Sequence, residues 1–96
     1  MNNLFTVKDN VVVITGGTGV LGTAIAKHLA SEGAKVVILG RRKEEGDRIV
    51  NEIKAAGGEA LFLVSDVMNL EVVQDNCDEI MEKYGRIDAL LNAAGG

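Results

Sequence analysis

The sequence predicts an α/β fold, a doubly wound parallel sheet with helices packed on its faces. Three observations carry that prediction. Four apolar runs are too short for helices. The three segments between them repeat their apolar residues at helical spacing. The two kinds alternate at intervals of about 25 residues, the signature of successive βα units.

The first run, Val11–Thr15, and the second and third, Val36–Leu39 and Leu61–Val64, are rich in Val, Ile or Phe, as strands buried on both faces should be. The fourth is Ile87–Leu91. From Val20 to Glu32, Leu21, Ala24, Ile25 and Leu29 mark an apolar helical stripe, and Gly33 supplies the stop. From Lys43 to Ala56 the stripe is Ile49, Val50 and Ile53, ended by Gly57-Gly58. From Asn69 to Tyr84 it is Leu70, Val73, Cys77, Ile80, Met81 and Tyr84, with Asn69 as N-cap and Gly85 as stop. The order is β-α-β-α-β-α-β. Crossovers between parallel strands are right-handed, which leaves few topologies.

Composition narrows the function. The net charge of −4 argues against nucleic acid as a partner. The charge is uneven: residues 1–50 carry seven basic and five acidic side chains, residues 51–96 three and nine. Hydrophobic residues at 47% and charged residues at 25% are globular values, not those of a disordered chain. A lone cysteine, Cys77, forms no internal disulfide and fits a reducing compartment. No unbroken apolar run exceeds five residues, far below the ~20 that cross a bilayer. The expectation is a cytoplasmic protein with no membrane partner. The sequence ends at Ala93-Ala94-Gly95-Gly96, just past the fourth strand. A sheet halted there would bare an apolar edge at Leu90 and Leu91. Residues 1–96 are therefore expected to be the N-terminal part of a single larger domain, and the isolated piece to be poorly stable or self-associating.

Glycine, 12 residues of 96 against a usual share of roughly 7%, needs explaining. Thr15-Gly16-Gly17-Thr18-Gly19-Val20-Leu21-Gly22 joins the first strand to the first helix, and Gly17, Gly19 and Gly22 spell G-x-G-x-x-G. The motif is weak alone, but here a strand precedes it and a helix follows. One glycine permits the turn, another lets the backbone approach a pyrophosphate, and Gly22 lets the helix pack close to the sheet. The helix N-terminus then offers N–H groups and partial positive charge to phosphates. The fold is thus expected to be of the Rossmann type, with Gly16, Gly17, Thr18, Gly19, Val20 and Leu21 around a dinucleotide.

These motifs resemble those of the short-chain dehydrogenases/reductases. Phe5-Thr6-Val7-Lys8-Asp9-Asn10 is similar to that family's lead-in to its first strand. Asp66-Val67 resembles its acidic-plus-apolar pair at the adenine ring. Asn92-Ala93-Ala94-Gly95 resembles its Asn-Asn-Ala-Gly motif. The resemblance implies that Asp66 and Val67 flank the adenine. It also implies that Asn92, Ala93, Ala94 and Gly95 lie near the nicotinamide ribose. A loop or turn role is the plainer reading of Asp66 and of Asn92. Thr15 is expected to bond across to the segment near Asn92. Two departures stand out. The glycine spacing, T-G-x-x-G-x-x-G, is that of the family's extended branch of sugar-nucleotide epimerases and dehydratases, whereas Asn92-Ala-Ala-Gly favours the shorter reductases. Ala93 replaces the family's second asparagine, so its amide is lost. The Gly-Gly-Thr-Gly-Val-Leu-Gly loop is similar to that of sugar-acid reductases of the mannonate and fructuronate type.

The family's chemistry is hydride transfer between a nicotinamide and a carbonyl or hydroxyl carbon, in proteins that are commonly homo-oligomers. Its proton donor is a Tyr in a Tyr-x-x-x-Lys pair, helped by a Ser. The sole tyrosine here, Tyr84, is followed at position 88 by Asp, so no catalytic residue is assigned. A non-catalytic nucleotide sensor is the remaining alternative. His28 has no second His for a metal, and Cys77 reads as a small buried hydrophobe. NAD sites of this kind usually carry an acid at the end of the second strand, for the ribose hydroxyls. Here that residue is Gly40, and Arg41 and Arg42 follow. A guanidinium grips a 2′-phosphate, so NADP(H) is the expected cofactor, with NAD(H) as the alternative.

Overall fold

The structure, a computed structural model, describes residues 8–16, 18–66 and 68–93. Four strands and three helices alternate: β1 (Val11–Thr15), α1 (Val20–Ser31), β2 (Lys35–Gly40), α2 (Lys43–Ala55), β3 (Glu59–Val64), α3 (Leu70–Tyr84) and β4 (Ala89–Asn92). The sheet is parallel throughout, in the order β3-β2-β1-β4. The chain thus builds outward from β1 on one side, then returns through α3 to add β4 on the other. Such a reversal leaves a crevice at the carboxyl ends of β1 and β4.

Alternate side chains of each strand enter two separate cores, which is why the strands read as continuous apolar runs. Val12, Ile14, Val36, Ile38 and Ala60 face α1 and α2, packing with Ala26, Ala30, Ile49, Val50 and Ile53. Val11, Val13, Val37, Leu39 and Leu63 face the other way, against Ile80 of α3. Burying each Val or Ile side chain stabilises the fold by about 1.5–3 kcal/mol.

The helix ends follow local chemistry. Asn69 caps α3, its Oδ1 accepting from the N–H groups of Glu71 at 3.1 Å and Val72 at 3.3 Å. Gly85 closes the same helix at φ 76°, a left-handed conformation that suits glycine.

Three sequence expectations need correction. The buried face of α1 is Gly22, Ala26 and Ala30, not the Leu21, Ala24, Ile25, Leu29 stripe. Ile25 and Leu29 are half-buried, while Leu21 is 62% exposed and Ala24 is exposed. Small residues spaced by four let this helix sit close to the sheet, so its buried face carries little apolar bulk to read. On α3 Ile80 is buried but Leu70 and Met81 are exposed, and Cys77 is only half-buried. The polar Asn76 takes the buried place instead. The last strand begins at Ala89, not Ile87. Asp88 lies just before it, its N–H donating to Val11 O at 2.8 Å and its Oδ2 accepting from Val11 N–H at 2.7 Å. Along β4, Leu90 and Leu91 are exposed, as expected for an uncovered edge strand.

Asp88 also accepts from Arg86 through Nε at 3.1 Å and Nη2 at 2.6 Å. These bonds, then the Val11 N–H, hold its carboxyl below the usual carboxylate range. A depressed folded-state pKa stabilises the fold above the unfolded-state value and loses that stabilisation as pH falls through the folded one. Melting profiles of the wild type and Asp88→Asn between neutrality and pH 3 should therefore converge in acid. Parallel profiles would rule this out.

Candidate functional site

The glycine loop occupies the crevice that the strand order predicts. Thr15 ends β1, and its hydroxyl lies 3.1 Å from Asn92 Oδ1 and 3.4 Å from Leu91 O, on β4. Ala93 N–H donates to Thr15 O at 2.9 Å. The expected cross-strand bond of Thr15 is thus present and ties the two sides of the crevice together. Gly16 follows at φ 70° and donates its N–H to Leu39 O at 2.9 Å. A side chain would be strained there, so the turn requires glycine.

Gly19 is the N-cap of α1, in extended backbone, and no side chain caps the helix. Its first turn has no acid either. On α3 an asparagine does that work and Glu71 lies in the first turn. Uncapped N–H groups with no competing carboxylate suit an external anion. Val20, the first residue of α1, is 94% exposed, and Leu21 is 62% exposed.

A groove of about 570 Å³ runs from this loop across the ends of β2 and β3. Gly16 and Thr18 form one wall, and Gly40, Arg41 and Arg42 the next. Asp66 and Met68 close it beyond β3. Both arginines are exposed, and among the described residues neither forms an ion pair. Arg48, by contrast, is engaged by Glu45 at 2.7 Å and Glu52 at 3.2 Å. Asp66 Oδ1 accepts from Met68 N–H at 3.0 Å, so this carboxylate holds the turn out of β3 as well as lining the groove. Asn92 and Ala93 lie on the far side of β1 from the arginines. Gly17, Val67, Ala94 and Gly95, and Phe5 to Val7 of the lead-in, lie outside the described residues.

Sequence reasoning missed Met68, 87% exposed at the groove, and the polar layer beneath it. Ser65 Oγ and Asn76 Oδ1 are buried with no hydrogen-bond partner among the described residues, while Asn76 Nδ2 donates to Val64 O at 3.3 Å. An amide in the apolar stripe of a helix was the available signal.

The residues set aside lie elsewhere. Tyr84 OH donates to Glu59 Oε2 at 2.9 Å, at the amino ends of the strands, away from the loop at their carboxyl ends. Burial and then this carboxylate raise its phenol above the ordinary range, so it has no ready proton to exchange. His28 is exposed and 3.9 Å from Glu32. Among the described residues no cluster could hold a metal, and no helix is long and apolar enough to cross a membrane. A second groove, of about 470 Å³, lies at the far ends of α1 and α2 and is bordered by the Lys27–Glu52 ion pair. None of the sequence motifs falls there.

A family model described as short chain dehydrogenase matches residues 10–96. The chain belongs to that family. It is 45% identical over 84 residues to the uncharacterized oxidoreductase UxuB of Bacillus subtilis, covering 88% of this chain and 30% of that protein. A Haemophilus influenza protein with bound NAD, provisionally a D-mannonate oxidoreductase, superposes with a TM-score of 0.90 at 33% identity over 95% of this chain and 32% of its own. A metagenomic short-chain oxidoreductase in complex with NADP superposes at 0.85 with 34% identity, over 88% and 38%. The chain spans about a third of the length of the curated relatives it matches. Of these two neighbours, one holds NAD and the other NADP.

Proposed function

We propose that this chain is the N-terminal, cofactor-binding part of a nicotinamide-dependent oxidoreductase acting on a small carbonyl or hydroxyl compound. The observation that carries the reading is the uncapped N-terminus of α1 at a glycine turn, beside two exposed arginines in one groove. The bound nicotinamide would supply or accept the hydride. The chain's own residues do the binding and orienting. The loop from Gly16 to Leu21 takes the pyrophosphate on backbone N–H groups. Asp66 and Val67 border the adenine. Asn92, fixed through Thr15, and Ala93 to Gly95 lie along the nicotinamide ribose. The residues that move the proton are assigned to a part of the protein outside this chain.

The finer reading is a preference for NADP(H), with Arg41 on the 2′-phosphate and Arg42 beside it. The end of β2 supports it: Gly40 offers no carboxylate, and Arg41 is the next residue. A charge-assisted bond of roughly 1.5–3 kcal/mol corresponds to about a tenfold to hundredfold preference. Titration of the full-length protein with both cofactors tests this. Arg41→Ala should weaken NADP(H) by that factor and leave NAD(H) nearly unchanged. An unaltered ratio would remove Arg41 from the site.

The loop's likeness to sugar-acid reductases and the D-mannonate neighbour favour a sugar acid as substrate. A second reading, an epimerase or dehydratase retaining its cofactor, is favoured by the T-G-x-x-G-x-x-G spacing. Net release of oxidised or reduced cofactor during turnover separates the two. The protein is further proposed to be cytoplasmic and homo-oligomeric.

A further inference from the structure

The carboxyl end of β3 is held by a side chain of the helix that follows it. Among the described residues β3 is an edge strand, paired with β2 alone. Ser65 N–H donates to Gly40 O at 2.8 Å, on the β2 side. Backbone groups of successive strand residues point to opposite sides, so Val64 O faces the open edge. Asn76 of α3 takes it up: its Nδ2 donates to Val64 O at 3.3 Å. The chain is thus fixed from both sides at the two residues before Asp66. Asp66 O then accepts from Asn69 N–H at 2.9 Å.

Asn76 lies in the buried face of α3, one turn before Ile80. Ser65, two residues beyond Leu63, faces the same side of the sheet, where Leu63 packs with Ile80. A buried amide costs stability unless both its ends are bonded. Here Asn76 Oδ1 has no partner among the described residues, and neither has Ser65 Oγ. An apolar side chain would remove the unsatisfied oxygen but release the Val64 carbonyl. The amide therefore fixes the strand end rather than strengthening the core.

We propose that Asn76 is a positioning residue. By holding Val64 O it sets the carboxylate of Asp66, two residues on, against the adenine of the cofactor. This rests on the dinucleotide reading of the groove, which Asp66 lines. The donor that adenine offers a carboxylate is its exocyclic amino group. Hypoxanthine carries a keto oxygen there and would set an acceptor against the carboxylate. Discrimination between the two bases therefore reports where Asp66 stands.

The test uses the full-length wild type, Asn76→Leu, Asp66→Ala and the double variant, each titrated with NADP+ and with its hypoxanthine analogue. The wild type should prefer NADP+ by about tenfold or more, as one charge-assisted bond implies. Asp66→Ala should bring the two ligands to within about twofold. Asn76→Leu should cut the preference to about threefold or less, and the double variant should match Asp66→Ala. A merely structural loss weakens both ligands alike and keeps their ratio. An Asn76→Leu protein with the wild-type ratio would thus overturn the role of Asn76 and leave Asp66 at the adenine. A wild type that binds both ligands equally would overturn the reading of Asp66 together with it. Should Asn76→Leu fail to fold, Asn76→Ala, which adds no bulk, takes its place with the same expected ratio.

Discussion

Gly19→Asp should abolish cofactor binding by the full-length protein while leaving its fold intact or slightly more stable. The two effects separate because of where Gly19 sits. It is the N-cap of α1, at φ −75° and ψ 176°, which any residue adopts. A Cβ there would meet nothing closer than Gly16 O at 3.8 Å. Asp is among the preferred N-cap residues, worth about a few tenths of a kcal/mol over glycine. The same carboxylate would bond to the helix N–H groups that a pyrophosphate needs, and would repel it. Glycine at this position therefore forgoes stability for the ligand. Parallel melting and cofactor titration decide the matter. Equal affinities for variant and wild type would remove the loop from the site, and a variant that merely unfolds would contradict the open geometry.

Gly46→Leu should be the most damaging single change to the fold. On an exposed helix, replacing glycine gains about 0.5–1 kcal/mol. Here the first carbon of any side chain enters the Phe62 ring. The ring meets it with its near atoms, not its tip, so it cannot step aside without leaving its place between Gly46 and Gly40. Overpacking of this kind costs roughly 1–3 kcal/mol, and a leucine should reach about 3. Denaturant unfolding of the full-length protein measures it. Phe62→Ala in the Gly46→Leu background should recover part of the loss, and a Gly46→Leu protein as stable as wild type would show that the helix does not rest on the ring.

Most of the fold was legible because its strands are buried on both faces. Val11–Thr15 and Val36–Leu39 are continuous apolar runs, and β1 coincides with its run. Glycine and asparagine marked the helix ends because left-handed stops and N-caps are chemistry local to a few residues. The buried faces of α1 and α3 were not legible. They are carried by Gly22, Ala26, Ala30 and Asn76, whose burial depends on distance to the sheet and not on hydrophobicity. The same holds at the site. Gly16, Gly19, Arg41 and Asp66 announce themselves by residue type and position after a strand. The bond of Asn76 to Val64 and the contact of Phe62 with Gly46 join residues 12 to 16 apart and exist only once the helices have packed on the sheet.

The central claim is that phosphate groups rest on the backbone of the loop between β1 and α1. It is tested most directly by following backbone amides in the full-length protein, labelled at glycine and valine, as NADP+ is added. The account predicts that the signals of Gly16, Gly19 and Val20 shift together and saturate with the cofactor, while those of Gly57 and Gly85, at the amino ends of β3 and β4, stay in place. Saturable binding that leaves Gly16, Gly19 and Val20 unmoved would contradict it.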